Sequence, residues 1–331
     1  IMQHRPCMVS CKVKAITIDE NKKAKIDNDK CISCGACVYK CPFGAITDKS
    51  YVLDIIDMLK GSENNTKYNV YAVIAPAIVS QCRFGRPTQV VTAIQKLGFH
   101  QVVEAALGAD ITLYNEALEW KEKGLMTTSC CPSYVAFIEK NFPELVQHIS
   151  HSVSPMIMTA QLIKHSDPTA KCVFIGPCAS KKAEFKLPKT GGAIDCVMSF
   201  EELQAFLDAR GIDTVECEDT VLDNGSFYGR IFAKSGGIVQ GLLDVAKDLN
   251  VEGLKPIVMS GIDECRANLM KLKFGKATEN FFEGMACEGG CLNGPLCITH
   301  SPRNIVDVDK FGNEAKEKTI HNSVKLYEMT T

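Results

Sequence analysis

The run CISCGACVYKCP sets Cys31, Cys34, Cys37 and Cys41 three, three and four residues apart, with Pro42 directly after the last. Thiols so close in sequence cannot each fill a separate part of a core, so the chain around the first three must wind as a short loop about a shared centre, which the fourth, followed by Pro42, leaves. The chain has 17 cysteines in 331 residues, and others are grouped too: Cys7 with Cys11, Cys130 with Cys131, and Cys287 with Cys291. A disulfide scaffold is short and evenly cross-linked, whereas this chain is long and 46% hydrophobic, enough for a good-sized core and a small satellite domain. Thiolate ligation of metal is therefore the reading of the clusters. The scattered Cys82, Cys172, Cys196, Cys217 and Cys265 read as small buried hydrophobes.

A net charge of -2 gives no broad basic field for nucleic acid or an anionic membrane to meet. No apolar run approaches the ~20 residues of a bilayer crossing, and IMQHRPCMVS lacks a signal peptide's apolar core, so a cytoplasmic protein is expected. Residues 1–50 are Cys-rich and lack long helical periodicity, which predicts a small first domain. YVLDIIDMLKGSENNTKYN reads as a short helix entering a polar linker over 51–67, and a large domain is expected over 68–331. There, the apolar runs VYAVIAP, QVVEAAL, GLMTTS, CVFIGP, CVMSF, PIVMSG and a segment ending at Met285 alternate with helical stretches. Among these stretches are Pro87 to Leu97, Ile111 to Lys123, Ser133 to Lys140, Pro155 to His165 and Phe200 to Arg210. Such alternation predicts an α/β fold of parallel sheets with helices on both faces. Sites in such folds collect at the carboxyl ends of strands, where Cys130 with Cys131, Cys178, and Cys287 with Cys291 are expected.

The four-cysteine run followed by proline resembles that of bacterial ferredoxins, and it fits an iron-sulfur cubane better than zinc. By that resemblance, Cys31, Cys34 and Cys37 hold three corners of one 4Fe-4S cluster, and Cys11, from RPCMVSCKVKAI, crosses over to complete it. Cys7 and Cys41 would belong to a second cluster. Its other ligands, expected at the positions of His4 and Ile1, depart from the pattern and leave its presence open.

Three further motifs, Thr128-Ser-Cys-Cys-Pro132, Pro177-Cys-Ala-Ser-Lys-Lys-Ala-Glu184 and Glu283-Gly-Met-Ala-Cys-Glu-Gly-Gly-Cys291, resemble in order and separation the active-site signatures of FeFe hydrogenases. The resemblance runs from about Ala75 to the chain end. It implies a two-lobed catalytic domain of parallel sheets with helices on both faces, behind a small α+β ferredoxin-like domain. It also implies an H-cluster, in which a 4Fe-4S cubane shares a cysteine sulfur with a two-iron unit carrying CO, cyanide and a dithiolate amine. The cubane ligands would be Cys131, Cys178, Cys287 and Cys291, the last also bridging to the two-iron unit. Lys181 resembles the lysine that pairs with an iron-bound cyanide, and Met285 the methionine beside the two-iron unit. Ala75-Pro76 resembles the loop that meets a cyanide and Phe232-Ala-Lys-Ser-Gly-Gly237 the turn lining the pocket, and Ser154 is expected among the cofactor-binding residues.

For proton transfer the resemblance assigns Cys130 as donor and acceptor, with Glu116 and Glu119 on one helix face and Ser150 between them. The expected activity is reversible conversion of protons and electrons into dihydrogen, with ferredoxin or a similar carrier and maturation proteins as partners. A hydrogen sensor and a non-catalytic iron-sulfur assembly protein are the alternatives. Gly176 in place of a usual methionine, Tyr134 in place of a common tryptophan, and Pro295 near the end of the last motif are departures.

Overall fold

The computed structural model describes residues 5–81 and 85–325. The expectations for Ile1, His4 and Cys82 lie outside them.

The Cys-rich segment is built on an antiparallel pair, β1 (Ile16–Ile18) with β2 (Ala24–Ile26). Among the described residues seven further strands follow, one for each apolar run: β3 (Val70–Ile74), β4 (Gln101–Glu104), β5 (Met126–Thr127), β6 (Lys171–Ile175), β7 (Cys196–Met198), β8 (Pro256–Ser260) and β9 (Phe281–Met285). They form two wholly parallel sheets, ordered β4-β3-β6-β7 and β5-β9-β8. Parallel strands are covered on both faces, which is why β9 reads as the fully buried FFEGM. Its neighbours Phe281 and Phe282 point to opposite sides, one into a core with Met126 and Ile238, the other into a core with Phe137 and Met259.

Local signals agree with the elements. Ser199 and Glu202 cap the Phe200–Ala209 helix reciprocally, at 3.1 and 2.7 Å. Pro132 and Pro155 stand in the first turns of their helices, and Gly124 (φ 68°) ends the Ala105–Lys123 helix in the left-handed conformation. That long helix is buried from Ala105 through Leu113, because it packs against the Pro155–Ser166, Phe227–Ile231, Gly237–Asp248 and Ile320–Lys325 helices.

Residues 51–67, expected as a linker, begin with a docked helix. The Val52–Gly61 helix sets Ile55 (0% exposed) and Tyr51 into the first sheet's core. The Cys-rich segment is tied in as well: the Lys182 ammonium bonds Asp48 at 2.5 Å, the Lys49 carbonyl at 3.0 Å and Glu202 at 2.7 Å. Among the described residues no helix is long and apolar enough to cross a membrane.

Candidate metal centre and its surroundings

Three strand ends deliver sulfur to one place. The chain leaving β5 carries Cys130 and then Cys131, which is the N-cap of the Pro132–Asn141 helix. Gly176 and Pro177 turn the chain from β6 to Cys178, and β9 leads into Cys287 and Cys291. Cys287 feels the charges of Cys178, Cys131 and Cys291, and Cys291 those of Cys178 and Cys131. Burial first, then these neighbours, pushes the Cys131 thiol up and the Cys287 and Cys291 thiols far up. Such thiols keep their protons until a cation lowers the cost of the thiolate, so metal binding releases protons.

Among the described residues, no three His, Cys, Asp or Glu side chains close tightly enough to hold a single metal ion. One zinc would draw four sulfurs onto bonds of about 2.3 Å. Four soft thiols that converge without collapsing would suit a larger iron-sulfur core. The last loop is pinned by the Cys291 N–H donating to the Ala233 carbonyl at 2.8 Å. Gly290 (φ +87°) lies so close that an added Cβ would stand 2.6 Å from the Ser235 nitrogen, so only glycine fits there.

Beside the sulfurs lies a chiefly apolar cavity. Cys130, Lys181, Met285, Phe232, Ala75 and Pro76 line it, together with Cys131, Cys178 and Cys291. Ser154 opens instead onto the adjacent cavity, with Ser150 and Glu184. Its buried hydroxyl has no hydrogen-bond partner, although the next residue, Pro155, lines the main cavity. The buried Lys181 ammonium donates to Glu184 at 2.5 Å and to the Cys130 carbonyl at 3.1 Å. Burial disfavours its charge, but Glu184 overrides this and holds the lysine above its ordinary range.

Two of the departures are filled from within the chain. A Cβ on Gly176 would meet the Phe174 ring at 2.5 Å, so the ring two residues earlier on the same strand face takes that space in the cavity wall. The Tyr134 hydroxyl bonds Thr127 at 2.6 Å, and its ring lies where a side chain at Gly284 would be.

The acidic residues form an outward line. The Ser150 hydroxyl donates to Glu119 at 2.9 Å, and the same carboxylate accepts the His151 N–H at 3.0 Å and the Lys123 ammonium at 2.6 Å. Burial opposes the Glu119 charge, but these donors hold its carboxyl below the usual range. Glu116 is different. It is 0% exposed, and neither oxygen makes a hydrogen bond of ordinary length. Burial pushes it up to about 8, only partly offset by the Ser129 N–H and the Ser150 hydroxyl facing it. On the inner side Glu116 is an electrostatic neighbour of Cys130, whose thiol burial raises far above its ordinary value. Lys123 was not among the expected residues, although its spacing from Glu119 is that of a helical ion pair.

In the Cys-rich segment, Cys11, Cys31, Cys34 and Cys37 line one cavity. Burial, with Cys37, Cys11 and Cys31 nearby, raises Cys34 to about 11. Cys41 stands apart from that cavity and accepts the Ala45 N–H at 3.2 Å, and such backbone donors, that of Phe43 foremost, lower its thiol. Cys7 is buried in the Pro6–Ser10 helix, also outside that cavity. The two cysteine groups approach each other, since Cys34 contributes to the field at Cys287 and Gly35 packs directly on Pro295 and Ala179. Cys297, unassigned from sequence, is buried behind the last loop and donates to the Leu292 carbonyl at 3.3 Å.

A profile described as "Iron only hydrogenase large subunit, C-terminal domain" matches residues 68–295, and one for a "4Fe-4S binding domain" matches residues 24–47. Iron hydrogenase 1 of Clostridium pasteurianum is 29% identical over 90% of this chain and 69% of its own length. Cytosolic iron-sulfur assembly component 3 of Bos taurus is 23% identical over 82% of this chain and 72% of its own. In fold, the chain is similar to the solved FeFe-hydrogenase HydA(deltaEFG), with a TM-score of 0.69 at 21% identity, covering 85% of this chain and 95% of that one.

Proposed function

Because this chain belongs to the iron-only hydrogenase large subunit family, we propose that it interconverts dihydrogen with two protons and two electrons at an H-cluster held by Cys131, Cys178, Cys287 and Cys291. One observation carries the reading: Cys131, Cys178 and Cys291, with Cys287 as their electrostatic neighbour, meet at a cavity that an unligated thiol, Cys130, and a buried, charge-compensated lysine, Lys181, also line. When bound, the cofactor supplies an open iron coordination site beside an electron-storing cubane.

The chain's own residues do the rest. Cys291 would hold the cubane and, as the resemblance implies, the two-iron unit as well. Lys181, kept cationic by Glu184, would offset the negative charge of the bound cofactor in a cavity where unpaired charge is expensive. The Ala75-Pro76 backbone, Phe232 and Met285 shape a dry wall around the open site, and Ser154 offers its unpartnered hydroxyl nearby. Cys130 gives and takes the proton at its sulfur. Glu116, neutral at pH 7 by its raised pKa, reprotonates it, and Ser150 links Glu116 to the ionised Glu119 near the surface. Cys11, Cys31, Cys34 and Cys37 would hold the cubane that supplies electron transfer, close to the catalytic centre because Cys34 approaches Cys287. Cys7 and Cys41, which lie outside the cavity that those four line, would be two of the ligands were a second cluster held. The reading places the protein in the cytoplasm, with ferredoxin or a similar carrier as electron partner and maturation proteins supplying the two-iron unit.

The bovine relative favours a second reading, in which the chain holds cubanes alone and serves iron-sulfur assembly. Against it stand Lys181, Cys130 and Glu116, for which a cubane-only protein has no use. Infrared spectroscopy of protein matured with the two-iron unit separates the two. Bands of iron-bound CO and cyanide are expected, and their absence from fully matured protein would favour assembly. Their presence with very slow turnover would point to a sensor.

A further inference from the structure

The Pro132–Asn141 helix has one end at each cysteine centre. Its N-cap is Cys131, one of the four thiols of the catalytic site. In its last turn Lys140 reaches into the Cys-rich segment, where its ammonium donates to the backbone carbonyls of Asn28 at 2.8 Å and Cys31 at 2.6 Å. Nine helical steps of ~1.5 Å place the two ends about 14 Å apart. The span is rigid, because Tyr134, Phe137 and Ile138 are all 0% exposed. Ile32, next to Cys31, is buried in the same core.

A lysine in a last helical turn ordinarily satisfies its own helix's carbonyls and dipole. This one gives its donors to another segment's cluster loop instead. Without it, the loop would face the negative end of the helix dipole alone. A fixed positive charge there favours the more negative, reduced state of an iron-sulfur centre, whose potential follows net charge and hydrogen bonding. Glu139, Glu184 and Lys189 share the cleft that Cys31 and Lys140 line, and the Lys140 ammonium is the group in hydrogen-bond contact with the Cys31 carbonyl.

We propose that Lys140 is a positioning residue that raises the reduction potential of the ferredoxin-like cubane, and so sets the driving force for electron passage along this helix between the two centres. The inference rests on the proposed binding of a cubane by Cys11, Cys31, Cys34 and Cys37. The test is a redox titration, followed by electron paramagnetic resonance, of the full chain reconstituted with iron and sulfide. The ferredoxin-like signal is assigned by its loss in Cys37→Ser.

Lys140→Gln should lower that cubane's midpoint and leave the catalytic cubane's unchanged, whereas Lys140→Arg, which keeps charge and donors, should match wild type. The gap should narrow as salt rises, because the charge is exposed and the Debye length is already about 10 Å at 0.1 M. A merely structural role predicts lost cubane without a shifted midpoint in the fraction that remains, and partial loading does not change a midpoint. Lys140→Met, which keeps the apolar stem, replaces Gln should that variant take up no cubane. An unmoved midpoint in the loaded charge-removed variant overturns the role of Lys140 alone. A wild-type chain with no reducible cubane at this loop overturns both the role and the binding reading beneath it. The infrared bands of the two-iron unit report on neither.

Discussion

Cys130→Ala is expected to lower dihydrogen turnover by about 10²–10⁴-fold, the usual contribution of a positioned proton donor, while iron content and the infrared bands stay as in wild type. The two halves of that expectation have separate causes. On the proposed reading, metal retention depends on Cys131, Cys178, Cys287 and Cys291. Replacing the neighbouring thiol removes one sulfur from the cavity wall and leaves the N-cap position of Cys131 and the helix behind it intact. Turnover depends on an exchangeable proton at that wall. Cys130 is 7% exposed, and burial followed by the charge of Glu116 keeps its thiol protonated at neutral pH. The Lys181 ammonium is committed to Glu184 and to the Cys130 carbonyl, so it is poorly placed to take over. Dihydrogen evolution with an artificial reductant, measured beside iron analysis, decides the matter. Equal turnover in the two proteins would remove Cys130 from the mechanism.

What could be read beforehand divides along physical lines. The parallel strands were legible because a strand buried on both faces needs apolar residues throughout, and β6 and β7 show it as CVFI and CVM. Their separation into orders β4-β3-β6-β7 and β5-β9-β8 was not, since a crossover between parallel strands leaves no local mark on the strands it joins. The Val52–Gly61 helix could be recognised, but not that Ile55 docks into the large core, because its partners come from distant segments. At the site, the motifs picked out Cys131, Cys178, Cys287 and Cys291, which leave three strands far apart in sequence and are electrostatic neighbours in the fold. The approach of Cys34 to Cys287, the contact of Lys140 with the Cys31 carbonyl, and the filling of the Gly176 space by Phe174 all depend on packing. Lys123 could have been found, because four residues separate it from Glu119 on one helix.

Glu116→Gln should cut turnover by a factor similar to that of Cys130→Ala and, at the same time, stabilise the folded protein at alkaline pH. The first effect follows from its place between Cys130 and Ser150, since an amide of the same shape fills the site but cannot pass a proton on. If the two residues act in one line, the double variant should be no slower than the slower single variant, and additive losses would break the line. The second effect follows from burial. The carboxyl titrates at about 8 in the folded chain against an ordinary value of 4.5, so over that interval the folded state holds a proton that the unfolded state has released. Stability from this group is therefore complete below pH ~4.5, falls as pH rises toward ~8, and stays low above it. At about 1.4 kcal/mol per unit, tempered by relaxation of the buried site, the cost at high pH is on the order of 2–4 kcal/mol. Gln carries no such penalty. Denaturant unfolding at pH 5 should therefore show variant and wild type nearly matched, and at pH 9 the variant ahead. A difference that does not grow with pH would mean that Glu116 is solvated in the folded protein, and a solvated carboxylate would stay ionised and unable to serve as the inner proton donor.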